Sequence, residues 1–390
     1  MFLFPADAGG KIRTGNILRG LKELGEFDIT LVSPADAQQQ SAWQEALSGL
    51  CHRFVGWAPA PARPRWQRAP DLLSALPINV ASDRTPAALA AVEQLLAGEA
   101  FDVVVFDFVH SAVLRPAAWS GASVCFTHNV EAEIFARHAK TASSALLRWL
   151  WASQAAKMRR FEHDALARFT RVVTVSERDA ETFQQNDGLQ TARAIPTGVD
   201  LDFFAWQAPT SDAPVVVFTG SMDWEANVDG IRFYIEEVWP HVLAQVPNAQ
   251  LRVVGKNPPA ALVERRVPGV SFTGFVDDVR DHARDALAFV IPLRVGGGTR
   301  IKAFEAMAMG LPVVSTTIGV EGLAVADGTH FLRADGAAAL AEATLRLLRD
   351  TVLRLKLSRA ARELVESQFG HRVASQVFAQ ILHEAVEASR

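Results

Sequence analysis

Residues 296–323 read GGGTRIKAFEAMAMGLPVVSTTIGVEGL, setting three glycines, two cations and one carboxylate around the start of a helical pattern. Gly296, Gly297 and Gly298 let backbone N–H groups approach an anion with no Cβ in the way. Thr299 to Met309 has the spacing of a helix, so its unpaired N–H groups and positive end point at the same place. Arg300 and Lys302 fall in the first turn, where a cation opposes the helix dipole; their presence there calls for an anion from outside the chain. Glu305 can accept two hydrogen bonds from a vicinal diol. These residue types suit the diphosphate and ribose of a nucleotide. The plainer alternative is an ordinary glycine-rich turn with Glu305 merely solvated, since the run is neither GxxxxGK[ST] nor GxGxxG.

The elements that must hold these residues follow from hydrophobic patterning. Short apolar runs alternate with helical stretches, the mark of parallel α/β architecture. The first half reads as strands Phe2–Phe4, Phe27–Val32, Phe54–Gly56, Val103–Asp107, Ser123–Thr127 and Arg171–Val175. Between them lie helices Thr14–Leu24, Pro86–Leu96, Glu131–Phe169, the last with a break, and Glu177–Gln185. The second half reads as strands Val215–Phe218, Gln250–Val254, Val270–Phe272, Leu287–Ile291, Pro312–Ser315 and His330–Leu332. Helices Ala337–Arg349, Val352–Gln368 and His371–Ser389 close the chain. A length of 390 residues fits two domains: 1–200 joined by the terminal helix 371–390, and 210–370. The expected fold is two Rossmann-like parallel sheets facing across a cleft, with ligands at the strands' carboxyl ends.

Other loops at such ends carry polar groups. Gly220 and Ser221 follow one strand, and Lys256 follows another. Gly9-Gly10-Lys11-Ile12-Arg13 lies between the first strand and its helix and suits an anion, or is an ordinary turn. His128 closes a strand, a place where a neutral imidazole can orient a reacting hydroxyl. Asn129 and Glu131 stand beside it as helpers, Glu131 equally as an N-terminal helix carboxylate, and Asp107 ends the neighbouring strand.

EAMAMGLPVVST, GGGTRIKAFEAM, the early GGKIR, THNVE, and Pro196-Thr197-Gly198-Val199-Asp200 resemble the family 4 retaining glycosyltransferases of GT-B fold, in particular the sugar transferases of exopolysaccharide clusters. The resemblance implies a nucleotide-diphosphate sugar as donor, UDP- or GDP-linked, and a glycan or lipid-linked acceptor. It implies retention at the anomeric carbon, with the departing diphosphate taking the acceptor's proton, and no cofactor or metal. It places the base against Gly274, Phe275 and Val276, the transferred sugar and acceptor near His128, and the terminal helix back on the first domain. Two departures stand out. Gly297 occupies the position of the first of two carboxylates, and Ser221, Met222, Asp223, Trp224 and Asn227 replace an Arg/Lys pair that grips the diphosphate. Arg300 and Lys302 are therefore expected to neutralise the phosphates. A hydrolysing sugar-nucleotide epimerase and an idle nucleotide-sugar binding protein are the alternatives.

Net charge of −4 gives no attraction to nucleic acid, and two cysteines, Cys51 and Cys125, read as buried thiols in a reducing cytosol. No histidine–carboxylate cluster has metal-ligand spacing, and no apolar run reaches the ~20 residues of a membrane span or begins as a signal peptide. The expected location is cytoplasmic, with peripheral membrane contact as one reading of Glu131–Arg171. That segment holds eight Lys/Arg against four Asp/Glu, interleaved with Leu146, Leu147, Trp149, Leu150 and Trp151; the Arg-rich loop Pro59–Pro70 with Trp57 and Trp66 adds to it. An ordinary helix burying an apolar stripe is the other reading.

Overall fold

Short runs of three to five residues become parallel strands in both halves of the chain. The computed structural model describes residues 2–6, 9–60, 71, 72, 74–142, 144–206, 213–295 and 300–390. Gly296, Gly297, Gly298 and Thr299 lie outside the described residues, as do 61–70 with Trp66. The chain divides into two units, Met1–Gly198 with Arg372–Arg390, and Val199–His371.

The first unit pairs β1 (Thr30–Pro34) with β2 (Arg53–Trp57) and builds a separate four-stranded parallel sheet, β3 (Val103–Asp107), β4 (Ala122–Phe126), β5 (Arg171–Thr174) and β6 (Ala192–Ala194). Its helices include α1 (Gly9–Leu24), α2 (Pro86–Gly98), α3 (Glu131–Thr141), α4 (Ala145–Leu166) and α5 (Glu177–Asp187). Every residue of β4 is buried, because helices cover both faces of the sheet. Alternate side chains enter different cores. Val124 and Phe126 pack with Ile17 of α1 and Phe378 of the terminal helix, whereas Cys125 packs with Leu166 and Phe183.

The second unit carries β7 (Val215–Thr219), β8 (Gln250–Val254), β9 (Val270–Gly274), β10 (Ala288–Ile291), β11 (Val313–Ser315) and β12 (Phe331–Arg333), all parallel in the order β12-β11-β10-β7-β8-β9. Numbered within the unit this is 3-2-1-4-5-6, the doubly wound dinucleotide-fold order, whose switch point falls between β7 and β10. Helices α6 (Glu225–Phe233), α7 (Ile301–Ala308), α8 (Ala337–Arg349) and α9 (Thr351–Leu364) belong to it. Val216 and Phe218 of β7 pack on Leu340 and Leu347 of α8; Val215 and Val217 pack on Ala303, Phe304 and Met307 of α7. Each such burial contributes ~1.5–3 kcal/mol for a large aliphatic or aromatic side chain. α10 (His371–Glu387) closes the chain, and Phe378 meets Phe126 edge-on at 5.2 Å.

Several boundaries differ from the sequence reading. Phe2–Phe4 forms no strand; its rings are held instead by Phe54 and Trp43, so the apolar run serves packing rather than a ladder. α1 begins at Gly9 rather than Thr14, which puts Gly9, Gly10, Lys11 and Arg13 inside the helix. Glycine lowers helix propensity, yet the covered face at Arg13, Thr14 and Ile17 extends the helix over it. β6 escapes pattern reading because only three residues, Ala-Arg-Ala, form it. The long Glu131–Phe169 stretch breaks after Thr141, and Ser144 restarts it as N-cap, its side chain accepting from the Leu147 N–H at 3.2 Å. Helix α7 starts at Ile301, making Arg300 its N-cap.

Candidate functional site

The switch point fixes where the second unit's polar groups meet. The β7 strand ends at Thr219 and passes to Gly220 and Ser221; β10, beside it, leads towards Arg300 and α7. Lys302 lies in the first turn of α7, and its ammonium reaches the β7 loop. Nζ donates to Asn227 Oδ1 at 2.9 Å and sits 4.3 Å from the centre of the Phe218 ring. Asn227 is held in turn, its Nδ2 donating to the Ser221 carbonyl at 2.7 Å. A Cβ on Gly220 would lie 2.7 Å from Lys302 Nζ and 2.8 Å from Asn227 Nδ2, so only glycine lets the cation come so close to the backbone. Burial pulls the Lys302 pKa down to about 7, against the smaller opposite pull of Glu305.

Arg300 is 3% exposed; its Nε donates to the Ile318 carbonyl at 3.2 Å and its guanidinium lies 5.9 Å from the Trp224 ring centre. Burial lowers its pKa, with Glu321 opposing. Glu305 stands about one and a half turns beyond Arg300 on the same helix. Its carboxylate accepts no hydrogen bond among the described residues, and burial pushes its pKa up to about 7 while Lys302 draws it back. Lys256 stands over the same loop, its carbonyl accepting from the Met222 N–H at 3.0 Å, but its ammonium lies 3.8 Å from Asp223, which also accepts from Ser221 and Asn257. That carboxylate takes up the charge expected to face a phosphate. Gly274 ends β9 with φ +73°, a conformation that favours glycine, and is followed by exposed Phe275 and half-buried Val276. Phe218 is the residue here that sequence reasoning passed over, and Asn227 and Trp224, read only as replacements for a missing Arg/Lys pair, contact the cations Lys302 and Arg300.

In the first unit, β3 and β4 end side by side and bring Asp107 to His128. Asp107 Oδ1 lies 2.8 Å from His128 Nε2, and its Oδ2 accepts from the Thr14 hydroxyl at 2.9 Å. The imidazole is buried and lies between the rings of Phe108, at 4.0 Å, and Phe126, at 4.4 Å. With the Nε2 proton directed at Asp107, Nδ1 is an acceptor; it has no partner among the described residues and lies on the Gly10 side of the ring. A Cβ on Gly10 would come 2.5 Å from Phe108 Cζ, so Gly10 makes room for that ring. Phe108 itself holds φ +63°, a strained conformation for an aromatic residue that costs ~1–3 kcal/mol.

The remaining first-unit candidates make local contacts. Arg13 is buried, Nε donating to the Thr197 carbonyl at 3.4 Å, and burial holds its pKa down at about 10. Lys11 donates to the Pro5 carbonyl at 3.1 Å, and Gly9 is an exposed helical residue. Asn129 donates to Glu131 at 3.3 Å, and the other Glu131 oxygen lies 3.7 Å from His110 Nε2. Glu162, 31 residues on, grips the start of α3. Its two carboxylate oxygens accept from the N–H groups of Glu131 at 2.7 Å and Ala132 at 3.1 Å. Burial drives the Glu162 pKa up to about 8, the two N–H groups opposing and Glu131 and Asp187 adding to it. The unfolded state gives up this proton near pH 4.5 and the native state near 8, so between them the unfolded state binds fewer protons and stability falls as pH rises. Thermal midpoints measured from pH 5 to 8 should show a slope in wild type that Glu162→Gln flattens; parallel curves would refute the assignment.

Comparison with known proteins supplies the lineage. Residues 8–203 match the family described as Glycosyltransferase Family 4, and residues 213–350 match Glycosyl transferases group 1. A phosphatidyl-myo-inositol mannosyltransferase of Mycobacterium leprae is 31% identical over 194 residues, 47% of this chain and 51% of that protein. The match thus spans about half the length of that relative. Among solved structures, sucrose-phosphate synthase of Thermosynechococcus elongatus superposes with a TM-score of 0.67 at 18% identity, covering 95% of this chain and 92% of that one. Anabaena Alr3699/HepE in complex with UDP and glucose superposes at 0.62 with 15% identity, covering 95% and 96%. These likenesses give the fold, GT-B, built here from two Rossmann-like parallel-sheet units. The chain belongs to glycosyltransferase family 4.

Proposed function

We propose that this protein transfers a hexose from a UDP- or GDP-sugar to a glycan or lipid-linked acceptor, with retention, in the synthesis of a surface polysaccharide. The observation that carries the reading is Lys302, an ammonium held at the β7–β10 switch point against Gly220 by Asn227, with Arg300 at the head of the same helix. In this reading the two cations and the first N–H groups of α7 stabilise negative charge as it grows on the departing diphosphate. The diphosphate oxygen accepts the proton of the attacking hydroxyl, and the Asp107–His128 pair of the first unit is the group set to orient a hydroxyl. Glu305, with no hydrogen bond accepted from the described residues, holds a diol of the donor. The complex of the Anabaena neighbour with UDP and glucose supports a nucleotide-sugar donor, and the mannosyltransferase relative supports a hexose.

Protein cations stand where a metal would neutralise the diphosphate, so full turnover is expected in excess chelator. The test incubates the protein with UDP- and GDP-hexoses, a polyprenyl-diphosphate sugar and EDTA, and reads product and anomeric configuration by NMR. A retained-configuration glycoside is expected. Strict dependence on added Mg²⁺ contradicts the metal-free scheme, and nucleotide release with epimerised sugar and no glycoside contradicts the transferase.

A further inference from the structure

Large apolar side chains left in water require an explanation when they cluster, because burial is their default. The start of α4 carries such a cluster at the tip of the α3–α4 hairpin: Leu146 is 73% exposed, Trp149 68% and Leu147 42%. Among the described residues none of the three joins a core. The last ring tied to the body is Trp151, 4.8 Å from His138 and 5.7 Å from Phe135; beyond it come the buried Ala155 and Met158. The first turns of the helix, directly after the α3–α4 turn, therefore present these three side chains outward rather than towards the clusters that take up Trp151, Ala155 and Met158.

The charge around this tip is one-sided. From Glu133 to Glu162 the sequence has no carboxylate between them and six cations: Arg137, Lys140, Arg148, Lys157, Arg159 and Arg160. Lys157 is committed inward, donating to the carbonyls of Leu72 at 2.7 Å and Ser74 at 2.6 Å; Arg137, Lys140, Arg148, Arg159 and Arg160 are exposed. The whole chain is net −4, so this concentration opposes the protein's own average. A second copy meeting the tip across a two-fold axis would set like charges together. A bilayer bearing anionic headgroups answers both features, taking leucine and tryptophan at its acyl boundary while arginine and lysine reach phosphate. Among the described residues no helix is long and apolar enough to cross a membrane, so the contact is peripheral.

We propose that the tip of the α3–α4 hairpin docks this protein on an anionic lipid bilayer by inserting Leu146, Leu147 and Trp149. The inference does not rest on the transferase reading, since docking needs no turnover.

Vesicle co-sedimentation tests it with the full chain, using phosphatidylcholine alone and phosphatidylcholine mixed with phosphatidylglycerol, at low and high salt. Wild type is expected to pellet with the mixed vesicles at low salt and to be released by high salt. The pair Leu146→Asp with Trp149→Asp should lower partitioning about tenfold or more, with thermal midpoint and nucleotide affinity unchanged because both side chains are exposed. Arg148→Glu with Lys140→Glu should do the same through charge alone. No binding of wild type to the mixed vesicles overturns the proposal, as does equal binding by the aspartate pair. A vesicle-free dimer in analytical ultracentrifugation that the aspartate pair abolishes would give the face to a second copy and also overturn it.

Discussion

Lys302→Ala should weaken UDP or GDP binding about tenfold or more, the scale of losing ~1.5–3 kcal/mol of a charged hydrogen bond, and Arg300→Ala should do likewise. Lys302 carries a further signature. Its pKa of about 7 means that above neutral pH much of the unliganded protein holds it uncharged. A bound diphosphate favours the ammonium, so binding takes up a proton, and affinity falls as pH rises above about 7, at most tenfold per unit. Calorimetry in buffers of different ionisation enthalpy reads that uptake directly. Glu305, pushed up to about 7, titrates in the same range, and Lys302→Met separates the two by abolishing the lysine's share. Unchanged affinity in both alanine variants would remove the phosphate-binding assignment.

His128→Ala should lower kcat by ~10²–10⁴-fold while nucleotide affinity stays at the wild-type value, because the residue sits in the first unit with Asp107 and not with Lys302. The imidazole is locked by two rings and one carboxylate, so its angle is set before any hydroxyl arrives. Asp107→Asn keeps the shape, removes the charge facing Nε2, and should fall between wild type and His128→Ala. Steady-state kinetics with a saturating donor, alongside melting curves to confirm folding, distinguish the cases. Wild-type turnover in His128→Ala would place the acceptor chemistry elsewhere.

The legible part of the fold is the part written locally. Val103–Asp107, Gln250–Val254 and Ala337–Arg349 coincide with their apolar patterns, because strands rich in β-branched residues and one-sided helices leave a continuous or periodic signature. Arg300 and Lys302 stand out in the sequence because cations at a helix start oppose its dipole. What the sequence could not show are pairings across distance. Lys302 meets Asn227 75 residues away, and Glu162 caps a helix that begins 31 residues earlier; neither pairing has a local mark in the sequence. Phe108 has no local mark of its positive φ, which only its ring contact with His128 and the room left by Gly10 explain. The exposed tip of α4 has the composition of a packed helix, and only its neighbours decide which leucines are covered. Phe2–Phe4 fails as a strand for the same reason: an apolar run finds ring contacts without finding a ladder.

One measurement bears most directly on these claims: a crystal structure determined after soaking with UDP- or GDP-hexose. Diphosphate oxygens are expected within hydrogen-bonding distance of Lys302 Nζ and the Arg300 guanidinium, with a sugar or ribose diol on Glu305. A diphosphate bound away from the start of α7, with Lys302 still donating only to Asn227, would contradict the account.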